Sequence, residues 1–398
     1  YDNYHPNVRT TMPDAVTLPQ LFNNSGYTSL SMGKVFHDIS TNDPMSWSEP
    51  MYGFGKPHNS YFNKEALDAM EELRRRNKRV RGPAYEASNH PDSDYPDGKT
   101  ADKAIETLRK VKDKPFFLAV GFIKPHLPFT CPQKYWDMYP AETIKMPDNY
   151  YPPKDVPAAA MHDWYELRSY FGMPQKGEIT EEQALNLIRG YHACVSFLDA
   201  QVGRVLDELD NLGLRDNTIV VFLGDNGYHL GENHLWNKMT TFEHGTQVPL
   251  IIGAPGQKVA GKTCDALVEF VDIYPTLAQL CGLKAPANLE GFSMSPLLDN
   301  PTLPWKQAAF SHYGRASRGA RYRPELGDLL GRSIRTDRYR YTEWRSPDDK
   351  LVGVELYDQQ NDPENNVNIA GHFGNKELVE KLAKQLHDGW RAALPRKS

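Results

Sequence analysis

The feature that most constrains the fold of this 398-residue chain is its alternation of helical segments with short apolar runs. Apolar residues recur at helical spacing over 99–111 and over 180–212. Runs with the composition of buried strands lie between such segments, at 27–32, 116–122, 218–223 and 249–253. This alternation is typical of a parallel sheet with helices on both faces. We therefore predict an α/β fold with a large mixed, mostly parallel sheet flanked by helices.

The pattern changes after about residue 301. Segment 331–344 has the composition of a strand with alternating charges, and 377–392 has the spacing of an amphipathic helix. We therefore predict two domains, a large one over 1–300 and a small α+β subdomain over 301–398. The proline-rich stretch 140–157 is interpreted as a long surface loop of the first domain.

Composition excludes several classes of protein. Lys and Arg number 46 against 51 Asp and Glu, so the net charge of −5 does not favour nucleic acid as a partner. The apolar runs are much shorter than the roughly 20 residues that span a bilayer, so no transmembrane helix is expected. The four cysteines form no CxxC pair, which argues against structural zinc and leaves disulfides open. The basic cluster 74–81 has two interpretations, a solvated helix end or a docking patch for a polyanion.

Polar side chains follow three of the predicted strands, where ligands bind in open α/β sheets. Lys34 and His37 follow the first of these strands, and His126 follows the second. The third strand is followed by an Asp–Asn pair and by further basic side chains, namely Asp225, Asn226, His229, His234 and Lys238. Each Lys or His taken alone has a simpler interpretation as a surface or loop residue. Their coincidence at equivalent strand ends favours a common site.

The chemistry of these side chains indicates hydrolysis of an anionic ester. The oxygens of Asp225 and Asn226 suit a hard cation such as Ca²⁺ or Mg²⁺ better than zinc. Lysines and histidines around that cation would bind a tetrahedral anion, so sulfate and phosphate esters are both candidate substrates. The alternative for Asp225-Asn226-Gly227 is a plain β-turn, because Asn-Gly favours type I′ hairpins.

Segments spread over almost the whole chain resemble the type I sulfatase family, and within it the iduronate-2-sulfatase-like branch. They follow the order of the family and lie at 31–37, 116–129, 224–238, 246–250, 333–344 and 355–362. The resemblance implies an alkaline-phosphatase-like fold, with a sulfatase catalytic domain over 1–300. It also implies a small antiparallel sheet and a terminal helix in 301–398.

The resemblance also implies a role for individual residues. Asp225 and Asn226 resemble two ligands of a single Ca²⁺ ion, and Asn at the second position is more similar to arylsulfatases. Lys34 resembles the lysine that bridges the catalytic aldehyde and the sulfate. His37 resembles the histidine beside the nucleophile, which helps to release sulfate.

Two further residues complete the implied catalytic set. His126 and Lys238 resemble the pair that binds sulfate oxygens and protonates the leaving alcohol. His229 and His234 lie in the same loop, where the resemblance implies that they face the sugar, without a chemical role.

The nucleophile of the family is a formylglycine made from Cys or Ser in a C/S-x-P-S-R or C/S-x-A-x-R motif. No cysteine or serine of these 398 residues lies in such a motif, and the aspartate pair of the family's first strand is also absent. Residues 1–9 resemble the family just after its nucleophile helix. We therefore expect either an N-terminally truncated sulfatase or a protein that has lost the chemistry. In both cases these residues alone are expected to be inactive.

The leading functional hypothesis is calcium- and formylglycine-dependent hydrolysis of sulfate esters on a sulfated sugar or polysaccharide. The alternatives are a phosphate or phosphonate ester hydrolase of the same superfamily and a non-catalytic binder of sulfated glycans. Implied partners are the sulfated carbohydrate and a formylglycine-generating or anaerobic maturation enzyme. The resemblance implies a periplasmic, extracellular or lysosomal location, although no signal peptide is recognisable. The Arg-rich segment 311–332 either contacts substrate carboxylates and sulfates or is an exposed loop.

Overall fold

The computed structural model describes residues 8–37, 42–53, 60–76, 81–315 and 327–395. The helices are α1 (Val8–Thr11), α2 (Leu18–Asn24), α3 (Lys64–Arg75), α4 (Pro96–Val111), α5 (Gln133–Trp136), α6 (Tyr165–Arg168), α7 (Glu181–Asn211), α8 (Glu243–Thr246), α9 (Ile273–Leu280), α10 (Ser295–Asp299) and α11 (Lys376–Asp388). The strands are β1 (Thr28–Gly33), β2 (Tyr85–Ser88), β3 (Phe116–Gly121), β4 (Phe129–Pro132), β5 (Val220–Leu223), β6 (His229–Leu230), β7 (Trp236–Asn237), β8 (Leu250–Gly253), β9 (Ala309–Arg315), β10 (Leu329–Arg335), β11 (Tyr339–Arg345) and β12 (Leu351–Asp358).

The chain packs as two compact units. Of the described residues, those within 8–146 and 166–217 form the N-terminal unit, and those within 147–165 and 218–395 form the C-terminal unit. The predicted boundary near residue 301 lies inside the C-terminal unit, so the division into 1–300 and 301–398 stays a prediction. No helix in the described part of the chain is both long and apolar enough to cross a membrane.

The N-terminal unit contains two parallel strand pairs. Strand β1 pairs with β3, from Thr28 opposite Phe116 to Gly33 opposite Gly121, and β2 pairs with β4. Helices α4 and α7 pack against each other. Helix α7 begins with a capping box, in which Thr180 and Gln183 satisfy each other's backbone N–H groups. The apolar spacing that predicted the helix over 99–111 corresponds to buried residues of α4, namely Ala101, Ala104, Leu108 and Val111.

The C-terminal unit carries an antiparallel sheet in the order β12-β11-β10-β9. Helix α11 packs on β10 and β11. Their shared core consists of Ala308, Ile334, Tyr341, Leu356, Leu382 and Ala393. In the same unit β5 pairs with β8 in antiparallel orientation, from Val220 opposite Gly253 to Leu223 opposite Leu250. Parallel and antiparallel pairs together agree with the predicted mixed α/β class and with the implied small antiparallel sheet.

The Arg-rich segment 311–332 differs from the expected loop. Strand β9 continues to Arg315 and β10 begins at Leu329, so both ends of the segment are paired strands. Residues Arg318, Arg321 and Arg323 of that segment lie outside the described residues. Segment 331–344, which has the composition of one strand, instead spans parts of β10 and β11 and the turn between them, where Tyr339 N–H donates to Thr336 Oγ1 over 3.0 Å.

All four cysteines are free thiols. Cys131 on β4 and Cys194 on α7 are buried, whereas Cys264 is exposed and Cys281 half-buried. The neighbouring Cys194 side chain and burial raise the pKa of the Cys131 thiol far above its ordinary range. A thiol in this environment stays protonated and acts as an apolar core residue.

Candidate functional site

In the N-terminal unit, two glycines bring the ends of β1 and β3 into close contact. Gly33 has a φ of +74°, and a Cβ atom there would lie 1.9 Å from the carbonyl oxygen of Gly121. Lys34 N–H donates to that same oxygen over 2.6 Å. The half-buried Lys34 and the exposed His37 therefore leave β1 beside the point where the chain leaves β3.

A buried carboxylate organises the segment that follows β3. Asp97, in the first turn of α4, accepts hydrogen bonds from the backbone N–H groups of Ile123 (2.8 Å) and Lys124 (2.9 Å). Its side chain is only 1% exposed, and burial raises its pKa although the two N–H groups and the Lys124 and Lys34 charges oppose that effect. Sequence reasoning missed Asp97. Pro96 and Asp97 mark a helix start, but nothing local shows which loop the carboxylate binds.

Lys124 is a structural residue. Its ammonium is buried and donates to Pro128 O and to Thr130 Oγ1, the latter over 3.1 Å. These contacts turn the side chain into the segment that joins β3 to β4, so Lys124 fixes the shape of the loop that carries His126.

His126 lies in that loop between two oxygen acceptors. Its Nδ1 lies 2.5 Å from the carbonyl oxygen of Leu127, and its Nε2 lies 3.3 Å from Oε1 of Glu166. Glu166 belongs to α6, far along the chain, and its side chain is 13% exposed against 25% for His126. No sequence signal identified Glu166, because its partner is set by tertiary packing.

In the C-terminal unit, Asp225 and Asn226 follow β5. Asp225 is exposed, Asn226 is half-buried, and Asn226 Nδ2 donates to Asp225 Oδ1 over 2.9 Å. Gly227 N–H donates to Gly245 O, and a Cβ atom at Gly227 would lie 1.9 Å from His244 O. The glycine thus permits close packing of the loop against α8. Because β5 pairs with β8 and not with the next strand, this Asp-Asn-Gly segment does not form the alternative β-hairpin turn.

The donor chemistry of Asp225 and Asn226 fits a hard cation. A carboxylate and an amide oxygen are suitable ligands for Ca²⁺, which takes six to eight oxygens. These two residues therefore supply part of such a shell. Within the described ranges, no group of three or more His, Cys, Asp or Glu side chains is placed to hold a metal ion.

His229 lies in the interior of the C-terminal unit. It is fully buried, with Nε2 2.9 Å from Thr240 Oγ1 and Nδ1 3.2 Å from Glu232 O. Burial, assisted by the neighbouring His244, lowers its pKa to about 3. A neutral histidine bonded at both nitrogens has a structural role, so the structure does not favour the expectation that His229 faces a sugar.

His234, the other histidine of this loop, is half-buried and adopts the left-handed backbone conformation with a φ of 58°. Its ring lies between two aromatic rings, with centroids 5.3 Å from Tyr150 and 5.0 Å from Trp164. Trp164 Nε1 also donates to the His234 carbonyl over 2.9 Å. Non-glycine residues held in this region of φ are common at binding sites, so His234 keeps its candidate role beside the substrate.

The half-buried Lys238 precedes residues 239–241, which side chains of the C-terminal sheet hold in place. Two buried arginines donate to its backbone carbonyls, Arg315 to Met239 O over 3.1 Å and Arg340 to Thr241 O over 3.0 Å. Arg315 also donates to the carbonyls of 159 and 160. The expectation that Arg315 belongs to an exposed or substrate-contacting loop is therefore not met, since its guanidinium is buried against backbone oxygens.

A further ion pair stabilises the start of α8, which follows this segment. The carboxylate of Glu243, at the start of α8, accepts from Arg335 over 3.1 Å and from Arg340. Burial acts to raise the pKa of Glu243, but the two arginine charges outweigh it and lower that pKa.

The predicted site residues form two groups, each within one unit. Lys34, His37 and His126 follow β1 and β3, whereas Asp225, Asn226, His229, His234 and Lys238 follow β5.

Comparison with known families and proteins gives consistent matches. A family model described as sulfatase matches residues 2–283, and one described as the C-terminal part of N-sulphoglucosamine sulphohydrolase matches 231–391. Iduronate 2-sulfatase of Mus musculus is 32% identical, over 92% of this chain and 78% of its own length. A sulfatase of Formosa agariphila is 30% identical, over 93% of this chain and 68% of its own.

Solved structures support the fold. A structure in complex with its substrate D-glucosamine-2-N,6-O-disulfate has a TM-score of 0.69 at 23% identity, covering 94% of this chain and 83% of that one. The phosphonate monoester hydrolase of Silicibacter pomeroyi has a TM-score of 0.70 at 21% identity, covering 96% and 81%. These likenesses confirm the predicted alkaline-phosphatase-like α/β fold.

Proposed function

This chain belongs to the sulfatase family and is a sulfuric ester hydrolase, and on that premise we propose that it cleaves sulfate esters on a sulfated sugar or polysaccharide. The observation that carries the proposal is the pair of strand ends in the N-terminal unit. There the glycine contact between β1 and β3 sets Lys34 beside the start of the His126 loop. A cation for the sulfate and an acid for the leaving group are what ester hydrolysis requires.

Each residue has a role that its chemistry supports. In the proposal the ammonium groups of Lys34 and Lys238 bind sulfate oxygens and balance charge as the S–O bond breaks. His126 donates a proton to the leaving sugar oxygen, a contribution of about 10²- to 10⁴-fold in rate. His37 takes part in releasing sulfate. His234, held between two aromatic rings, contacts the sugar.

Two further groups belong to the proposed chemistry. Asp225 and Asn226 would hold Ca²⁺, which when bound draws charge from the sulfate oxygens. A formylglycine hydrate would supply the attacking hydroxyl. Because these 398 residues contain no formylglycine motif, the proposal requires that residue from outside them. The sequence of the complete reading frame tests this requirement.

The names of relatives support the proposed substrate class. Their names include iduronate 2-sulfatase, and a solved neighbour holds a disulfated glucosamine. We extend this class to the present chain and take uronate 2-O-sulfate as the first ester to test. The proposal also includes a formylglycine-generating or anaerobic maturation enzyme as partner, and a periplasmic, extracellular or lysosomal location.

Sulfate release tests the proposal directly. The full-length protein is incubated with defined sulfated disaccharides, and free sulfate is measured by ion chromatography. Lys238→Met is expected to abolish release, whereas Lys262→Met, which removes an exposed lysine of the same unit, is expected to leave it unchanged. Binding of the disaccharides without release would contradict the proposal and favour a non-catalytic glycan binder.

One observation favours a second candidate function, the phosphonate monoester hydrolase at a TM-score of 0.70. Phosphate ester hydrolases of the two-metal type hold two transition metals. In the full-length protein, one calcium per chain would support the sulfatase, whereas two zinc or manganese ions would support such a phosphate ester hydrolase. Faster cleavage of a phenyl phosphonate ester than of any sulfate ester would also decide for the alternative.

A further inference from the structure

The two ring nitrogens of His126 face oxygen acceptors, and one of these acceptors is the carboxylate of Glu166. We propose that Glu166 is a positioning residue for the reaction, which holds the His126 ring in place and balances its charge while it carries the proton for the leaving group. This inference rests on the proposed function, because it assigns a partner to the acid of that reaction.

The neighbours of the ring decide which of its nitrogens carry hydrogen. A backbone carbonyl accepts hydrogen bonds but cannot donate them, so the contact with Leu127 O requires hydrogen on Nδ1. Nε2 then faces Oε1 of Glu166 at 3.3 Å. A carboxylate also acts as an acceptor. Both contacts are satisfied together when the imidazole carries two protons, which is the form that a general acid needs.

Burial makes the carboxylate effective in this role. The Glu166 side chain is 13% exposed, so its field on the ring is screened less by solvent than that of a surface carboxylate. Its backbone is held as well, since Ser169 N–H donates to Glu166 O over 3.2 Å. The neighbouring Arg168 directs its guanidinium to the carbonyls of Pro174 and Gly177, both over 2.9 Å. In a Ser-His-Asp triad the carboxylate binds the ring nitrogen that does not react. Here the Leu127 carbonyl takes that place at Nδ1, and Glu166 faces Nε2, where its charge stabilises the cationic ring.

The proton transfer is balanced. The S–O bond to the sugar breaks with its electron pair on the sugar oxygen, and that oxygen takes the proton from Nε2 of His126. The ring becomes neutral and keeps its Nδ1 hydrogen on Leu127 O. Glu166 remains a carboxylate throughout. Its 3.3 Å separation from Nε2 exceeds the 2.7–2.9 Å of a tight charge-assisted bond, so this contact does not hold the Nε2 hydrogen away from the sugar oxygen.

The test compares two leaving groups in the full-length protein. Glu166→Gln keeps the size of the side chain and removes its charge. We expect kcat for a sugar sulfate to fall about 10- to 100-fold, by comparison with the loss of carboxylates that orient metal-bound histidines. A nitrophenyl sulfate needs no proton on its leaving oxygen, so its kcat is expected to change less than about threefold. Glu166→Asp should restore part of the sugar-sulfate rate.

A double-variant cycle adds a readout that a structural role would not move. In a His126→Asn background, Glu166→Gln is expected to cost nothing further, because the residue acts through the ring. Glu142→Gln, at an exposed carboxylate of the same unit, serves as the control. Equal losses on both esters, or additive losses in the cycle, would overturn the inference. Failure of the unsubstituted protein to release sulfate from either ester would instead overturn the proposed function, and this inference with it.

Discussion

The ammonium of Lys306 lies 2.7 Å from both carboxylate oxygens of Asp272, and the two side chains are 3% and 0% exposed. Glu269 adds a second carboxylate at 2.8 Å. The same Asp272 accepts from Phe292 N–H over 2.7 Å, so the ion pair joins three segments of the C-terminal unit. A charge buried this deeply depends on its partner, because water cannot replace it.

Substitution Lys306→Met is expected to destabilise the protein by about 3–5 kcal/mol, since it leaves the Asp272 carboxylate buried and uncompensated. Urea unfolding followed by circular dichroism measures the loss. Lys258→Met is the matched control, because its ion pair with Asp299 is 73% and 48% exposed. It should cost no more than about 1 kcal/mol. Similar losses in the two variants would contradict the prediction.

Substitution Gly33→Ala is expected to damage both stability and sulfate release. The added Cβ would lie 1.9 Å from Gly121 O, so β1 and β3 must move apart beside Lys34. Gly26→Ala provides the control, because Gly26 also has a positive φ (+88°) but open space around it. In both variants the left-handed backbone conformation of an alanine costs about 1–2 kcal/mol. Only Gly33→Ala adds the clash. Thermal unfolding together with kcat measures the difference, which should vanish if the strands are not in contact.

Substitution His229→Gln should change how stability depends on pH. The folded-state pKa of His229, about 3, is below the ordinary value of 6.5. Protons therefore bind the unfolded chain first, and stability from this group is lost as pH falls from about 6.5 toward 3. The stability difference between the parent protein and the variant is thus expected to shrink between pH 7 and pH 5. Urea unfolding at each pH measures it.

The control for this pH series is His372→Asn, since His372 is exposed in the same unit. A change in that variant equal to the change in His229→Gln would show that burial of the imidazole is not the cause. If His229 contacted the sugar, His229→Gln would raise KM without altering the pH dependence of unfolding. That pattern would restore the expectation from the sequence.

Substitution Asp225→Asn is expected to weaken calcium binding, because it removes the charge of one oxygen ligand. In the full-length protein, added Ca²⁺ should raise the melting temperature, and chelation should reverse this shift. The variant should need at least tenfold more Ca²⁺ for the same shift. Asp265→Asn, at an exposed carboxylate of the same unit, should behave as the parent protein. A calcium-independent melting temperature in the parent would count against the proposed site.

Several elements could be predicted because their signals are local. The predicted strands over 27–32, 116–122, 218–223 and 249–253 agree with β1, β3, β5 and β8 to within about two residues. Helical spacing and the capping box at Thr180 likewise located α7. The candidate site residues could also be predicted from their sequence neighbours, since Asp225, Asn226 and Lys34 lie directly after strands.

Other features depended on contacts between distant segments. His229 and His234 are the same residue type in one loop, yet one is buried and the other lies between aromatic rings. Arg315 lies in an Arg-rich stretch but turns inward to backbone carbonyls. The direction of each side chain is set by the partner that packs against it, and no neighbouring residue reveals that partner.

By itself, then, the sequence determined the α/β alternation, the positions of the strand ends and the residue types available for ester hydrolysis, because periodicity and side-chain chemistry are properties of neighbouring residues. Only the tertiary structure decided that Asp97 holds the loop after β3 and that Glu166 faces His126. Both contacts join segments that are far apart in the chain. Only the packing of helices on strands buries these side chains and sets the distances between them.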